Sequence, residues 1–273
     1  MTNWFVTTVS KESYDMTWKG KGLTHIGKVR QLNQDAFGIY DHLRLWLIAD
    51  GMGGHPGGEI ASQLAIENMA AYFEKHQPPL DATQTESKNS PVILEKTLEA
   101  ANRAIRDYAR QHVEFTDMGT TAVAVHLDDS SPTVATIAHA GDSRAYLIRD
   151  QTLTPLTRDH SLVEEQVELG IITPEQALTH PLRHIITRAL GIDHNVVPSV
   201  TMIDLTEKDQ LLLCTDGLTK MMTDQQILDR ILGANTTLDR VCHSLIQEAL
   251  NRGGEDNVTV VILGVEREPN NVL

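Results

Sequence analysis

Three apolar runs in this chain stop in the same way. Leu47-Ile48-Ala49-Asp50-Gly51, Ile137-Ala138-His139-Ala140-Gly141-Asp142 and Leu211-Leu212-Leu213-Cys214-Thr215-Asp216-Gly217 each reach an aspartate with a glycine beside it. Short apolar runs closed by a turn signal read as buried strands. Asp256 is the mirror case, with Gly253 and Gly254 before it and an apolar run from Val258 after it, and Asp35 precedes a short strand at Phe37. Taken singly, each aspartate is an ordinary turn or cap residue. Taken together, five aspartates at strand ends can be brought to one sheet edge. The stretch after Asp50 adds five glycines in eight residues, with His55 and Pro56 between them. Such a loop turns tightly and lets its backbone approach a ligand closely.

Between these points the pattern predicts an α+β fold. Glu59–His76 carries Ile60, Leu64, Met69 and Phe73 at helical spacing, and Ser90-Pro91 opens a second helix striped by Leu94, Leu98, Ala101, Ile105 and Tyr108. The runs 119–127 and 133–140 form a hairpin, and 145–148 continues as a strand with 152–157 pairing back. Ser161 with Glu164, Thr173-Pro174 with Gln176, and Thr223 with Gln226 mark helix starts. Another helix spans about 238–251. Strands in consecutive runs with helices in pairs favour antiparallel sheets over βαβ units. We expect one catalytic domain over 21–265, a peripheral segment 1–20, a tail 266–273, and an inserted lobe at about 159–195 that contributes to recognition.

The net charge is −14, which argues against a nucleic-acid partner and suits a cation site. Cys214 and Cys242 lack the spacing of a zinc site or a disulfide framework, and a reducing cytoplasm is the default. No segment is apolar for long enough to span a membrane, and the N-terminus has no signal-peptide pattern. Aspartates without neighbouring thiols select hard divalent cations, Mg²⁺ or Mn²⁺. Two such ions roughly 3.5–4 Å apart can activate a water, and phosphate esters are the natural substrate for such a centre.

At this point the motifs carry a resemblance. Arg30–Phe37 (RQLNQDAF), Ala49–Gly58 (ADGMGGHPGG), Met118–Val123 (MGTTAV), Ala140–Leu147 (AGDSRAYL), Cys214–Leu218 (CTDGL) and Gly253–Leu263 (GGEDNVTVVIL) occur in this order. The chain resembles the bacterial metal-dependent protein serine/threonine phosphatases of type 2C over about residues 20–265. The resemblance implies a four-layer α-β-β-α sandwich of two antiparallel sheets with helix pairs outside. It implies a binuclear Mn²⁺ or Mg²⁺ centre: Asp50 bridging both ions, Asp216 and Asp256 on one, Asp35 (directly or through water) and the Gly51 carbonyl on the other. A third, weaker ion matches Asp142 with Asp216. Arg30 matches a phosphate-binding arginine, whose planar fork suits two phosphate oxygens. The implied reaction is direct attack of a metal-bridging water on phosphoserine or phosphothreonine in proteins, opposing a Ser/Thr kinase. A monomer is expected.

Two positions depart from the pattern. Met52 stands where some relatives carry a histidine able to protonate the leaving group. His55 is then the candidate general acid, and equally a loop histidine bonded locally. Gln34 stands where relatives often carry glutamate, which removes a negative charge from the second metal site. Asn257 is read as orienting Asp256, Thr120 and Thr121 as sheet residues, and His139 and His160 as structural. Two alternatives stay open from the residues alone: a phosphatase of small phosphorylated metabolites, and an inactive phosphate-binding module.

Overall fold

The computed structural model describes residues 17–52, 57–77, 90–128, 133–233 and 237–265. Among the described residues, ten strands form two five-stranded antiparallel sheets. One has the order β1 (Trp18–His25), β10 (Val258–Val265), β9 (Gln210–Cys214), β6 (Arg144–Arg149), β7 (Thr152–Pro155). The other runs β2 (Asp35–Tyr40), β3 (Leu45–Asp50), β4 (Ala122–Leu127), β5 (Val134–Ala140), β8 (Ser199–Asp204).

Period-two alternation along the strands builds three apolar layers. Trp46 and Ile48 of β3, Val123 and Val125 of β4, Leu211 and Leu213 of β9, and Val261 and Leu263 of β10 fill the space between the sheets. The alternate residues Leu45, Leu47 and Ala49 face the helix pair α1 (Gly58–His76) and α2 (Ser90–Gln111). Leu212, Cys214, Val260 and Ile262 face α6 (Asp224–Gly233) and α7 (Leu238–Asn251). This is the expected four-layer sandwich. Each fully buried Leu, Ile or Val contributes about 1.5–3 kcal/mol, so the three layers supply the main driving force.

Two details differ from the sequence reading. The first strand starts at Trp18, so Trp18–Gly20 belong to a sheet and not to a peripheral segment; β1 pairs with β10 over its whole length. Its lysines and glycines hide the alternation. Gly20 is there for room: a Cβ at this position would lie 2.4 Å from Nε1 of the fully buried Trp46. The buried face of α1 is also rotated from the one expected. Ala61, Ala65, Ile66, Met69 and Phe73 are buried, while Ile60 and Leu64 only border the core. The small alanines let the helix sit close to the sheet.

The inserted lobe lies between β7 and β8 and holds α3 (Leu162–Glu168) and α4 (Pro174–Leu178). The capping box of Thr173 with Gln176 is complete. At Ser161 only the hydroxyl half is seen, accepting from the Glu164 N–H. The lobe is tied back where Gly191 N–H donates to Asn102 Oδ1 of α2 (2.7 Å) and Leu190 bridges Thr120. A four-residue helix, α5 (Asp216–Thr219), follows β9. Among the described residues, no helix is long and apolar enough to cross a membrane.

Candidate metal centre

The alternation that fills the inter-sheet layer also decides what lies at its end. Extending the parity of Trp46 and Ile48 by one step places Asp50 on the inter-sheet face. The same step puts Thr121 before β4, Ser143 before β6, Thr215 after β9 and Thr259 in β10 on that face. In antiparallel sheets all of these ends lie together. Thr121, Ser143, Thr215 and Thr259 are each at most 1% exposed. The apolar layer therefore closes in a polar floor.

Asp35 and Asp50 are directly opposite each other in the β2–β3 register. Asp35 Oδ2 accepts from Thr259 Oγ1 (2.6 Å) and Thr215 Oγ1 (2.9 Å), so a residue of one sheet is bonded to two from the other. Asp50 is held through its backbone: its N–H donates to Thr121 Oγ1 (3.1 Å), and its carbonyl accepts from the Thr121 N–H (2.9 Å). Thr121 Oγ1 in turn shares a 2.7 Å hydrogen bond with Ser143, the neighbour of Asp142.

Asp142, Asp216 and Asp256 complete the carboxylate set. Burial raises the Asp35 carboxyl to about 7, with the charges of Asp216 and Asp256 adding to it against the two threonine hydrogen bonds. Asp142 is pushed to about 7 by burial, then by Asp216 and Asp159, with Lys220 opposing. Asp50 is raised well above the usual carboxylate range by burial and by the charges of Asp35, Asp216, Asp142 and Asp256. Asp216 is raised by burial and held back by Lys220. The charges of Asp35, Asp142, Asp216 and Asp256 all act on Asp50.

Two side-chain cations answer this charge. Arg30 reaches Asp256 with both fork arms, Nε to Oδ1 at 2.8 Å and an Nη to Oδ2 at 3.0 Å. Lys220 Nζ lies 2.5 Å from Asp216 Oδ2 and 3.2 Å from Asp256 Oδ2. Lys220 was not singled out in the sequence; its spacing of four residues from Asp216 was the available signal, hidden because the helix that joins them is only four residues long. Thr215 and Thr259 were also missed, though each occupies the inter-sheet parity.

Gly51 packs so closely that a Cβ would lie 2.1 Å from the Gly58 carbonyl oxygen. The Gln34 carbonyl accepts from the Gly51 N–H (3.0 Å), and its side-chain amide donates to Glu59 Oε2 (3.2 Å). Asn257 does more than orient Asp256. Its N–H donates to Asp256 Oδ1, and its amide group binds the carbonyls of Ile26 and Leu32 and the Gln34 N–H. It clamps the loop that carries Arg30. His139 and His160 stack at 4.4 Å behind the Gly141–Asp142 corner. His160 Nδ1 accepts from the Gly141 N–H, and His139 Nε2 donates to the Arg158 carbonyl, so both are structural. His55 lies outside the described residues.

The donor set fits hard divalent cations. Oδ1 of Asp35, Asp142 and Asp216 are buried and without a protein partner, a costly arrangement that a cation would relieve. Among the described residues, no three His, Cys, Asp or Glu side chains are gathered tightly enough to cage an ion. Like charges repel, and Arg30 and Lys220 hold Asp256 and Asp216 by other contacts.

Residues 21–252 match the family model described as protein phosphatase 2C. The chain is 36% identical over 248 residues to the serine/threonine phosphatase stp of Listeria monocytogenes, covering 90% of this chain and 94% of that one. It is similar in structure to the catalytic domain of the serine/threonine protein phosphatase PstP in complex with two manganese ions (TM-score 0.76, 35% identity, 92% of this chain and 99% of that one). Staphylococcus aureus serine/threonine phosphatase Stp1 also matches (TM-score 0.80, 34% identity, 91% and 95%).

Proposed function

Because the chain belongs to the protein phosphatase 2C family and is a metal-dependent protein serine/threonine phosphatase, we propose that its five strand-end aspartates hold the metal ions and that Arg30 holds the phosphate. The supporting observation is the set of buried, unpartnered Oδ1 atoms of Asp35, Asp142 and Asp216. They lie within one group of mutually repelling carboxylates. In this reading Asp50 would serve both ions, Asp216 and Asp256 would help hold one, and Asp35 with the Gly51 carbonyl would help hold the other. Asp142 with Asp216 would hold a weaker third ion.

Bound Mn²⁺ or Mg²⁺ would lower the pKa of water and offset charge on the phosphate oxygens. The chain's own residues do the rest. Thr215 and Thr259 fix Asp35 so that one oxygen stays turned from its hydrogen bonds. Thr121 fixes the strand end that carries Asp50. Arg30, held near the centre by its fork on Asp256, exchanges that carboxylate for two phosphate oxygens. The serine or threonine alkoxide then needs a proton, and His55 is the proposed donor. Both thiols are buried, and burial pushes each up to about 12, so neither is poised as a nucleophile. Direct attack of water without a phosphoenzyme fits this.

We also infer a single catalytic domain from β1 to β10, acting as a monomer in the cytoplasm against a Ser/Thr kinase. The test is phosphate release from a phosphothreonine peptide with Mn²⁺ and with EDTA, beside Asp50→Asn. Release that needs Mn²⁺ and falls at least about 100-fold in the variant is expected. Turnover only of small esters would favour a metabolite phosphatase. No turnover of either would favour a binding module.

A further inference from the structure

Lys220 lies in the carboxylate cluster but belongs to none of the roles above. Its ammonium bridges Asp216 Oδ2 and Asp256 Oδ2, at 2.5 and 3.2 Å, and so joins the start of α5 to the loop before β10. These are the two carboxylates assigned to one ion. The geometry is lopsided: the Lys220 side chain is 47% exposed, whereas those of Asp216 and Asp256 are 18% and 19% exposed. Asp256 is also held by the Asn257 N–H and Arg30, and the ammonium reaches both carboxylates on a flexible stem from solvent. Asp216 Oδ1 stays buried and unpartnered while Lys220 holds Oδ2. The ammonium is thus an incomplete substitute for a cation that takes both oxygens.

We infer that Lys220 is a tethered counter-ion that holds Asp216 and Asp256 together in the metal-free protein and must leave them before a divalent ion binds. It sets the metal affinity of that site as a positioning residue. This rests on the reading of these aspartates as metal ligands. Two effects follow from one side chain. Without the ammonium, the metal-free protein loses the charge beside half-buried Asp216 and one of the two charges, the other being Arg30, beside half-buried Asp256. With ions bound, the ammonium has no partner at this corner and is repelled by them, so its removal favours binding.

The experiment is Mn²⁺ titration by calorimetry, with melting temperatures in EDTA, on the wild type, Lys220→Met and Lys220→Arg. Methionine keeps the stem and removes the charge; arginine keeps the charge. Lys220→Met should bind Mn²⁺ about tenfold more tightly, the scale of one to two partly exposed ion pairs, and melt lower in EDTA. Lys220→Arg should stay close to the wild type in both. Wild-type binding that Lys220→Met leaves unchanged or weakens would overturn the inference alone. Absence of Mn²⁺ binding in the wild type would overturn the metal centre itself, and this inference with it.

Discussion

Asp35 and Asp50 face each other across the β2–β3 ladder, both turned into the layer between the sheets. Like charges directly opposite on adjacent strands are destabilising, and burial adds to the cost. The fold tolerates the pair by giving Asp35 two threonine hydroxyls from the other sheet. A site that is costly without its cations is one that those cations stabilise on binding.

Asp35→Asn should therefore trade function for stability. The amide removes one buried charge, and its oxygen can still accept from both threonines. We expect a higher melting temperature than the wild type in EDTA and at least about tenfold weaker Mn²⁺ binding by calorimetry. A variant that melts lower in EDTA would show that the Asp35 charge is not the source of strain.

Thr259→Val removes the shorter hydroxyl contact to Asp35 while keeping side-chain shape. Loss of a buried, charge-assisted hydrogen bond costs about 1.5–3 kcal/mol by urea unfolding. Support behind a metal ligand is typically worth 10–100-fold, so kcat should fall by about tenfold or more. Thr259→Ser, which keeps the hydroxyl, should recover most of both. Equal damage from both variants would assign the effect to packing.

Much of the architecture was legible in these residues. The strands of the inner layers show period-two runs, and each of the five aspartates lies at the end of one or beside it. Carrying that parity one residue past the strand end would also have found Thr215 and Thr121, because the pleat continues into the first loop residue. Lys220 was not legible this way, since its approach to Asp256 depends on a loop 36 residues away. The first strand was obscured for a packing reason: Gly20 yields its side-chain space to Trp46.

Arg30→Ala should lower kcat/KM for a phosphothreonine peptide by about 100-fold, and Arg30→Lys should restore only part of it. A lysine supplies the charge but not the two-armed fork seen on Asp256. Full restoration by lysine would reduce the role of Arg30 to charge alone.

Acid sensitivity should trace in part to His126 of β4. It is 5% exposed, its ring centroid is 4.7 Å from that of Phe73, and its Nδ1 has no partner. Burial lowers its pKa to about 4, with Arg44 acting in the same direction and Asp128 against. The unfolded chain takes up this proton below about 6.5, and the folded chain only below about 4. Stability from the neutral ring is thus full above 6.5 and is lost as pH falls towards 4, by about 3 kcal/mol. Urea unfolding in EDTA from pH 7 to 4 should show a shallower loss for His126→Leu than for the wild type. Parallel curves would contradict the assignment.

Anomalous diffraction from crystals soaked in Mn²⁺ addresses the central claim most directly. We predict manganese peaks at the end of the inter-sheet layer, bonded to Asp50, Asp216 and Asp256 on one side and to Asp50 and the Gly51 carbonyl on the other, with Lys220 withdrawn. Peaks only elsewhere, with Lys220 still bridging Asp216 and Asp256 in a protein that releases phosphate, would contradict it.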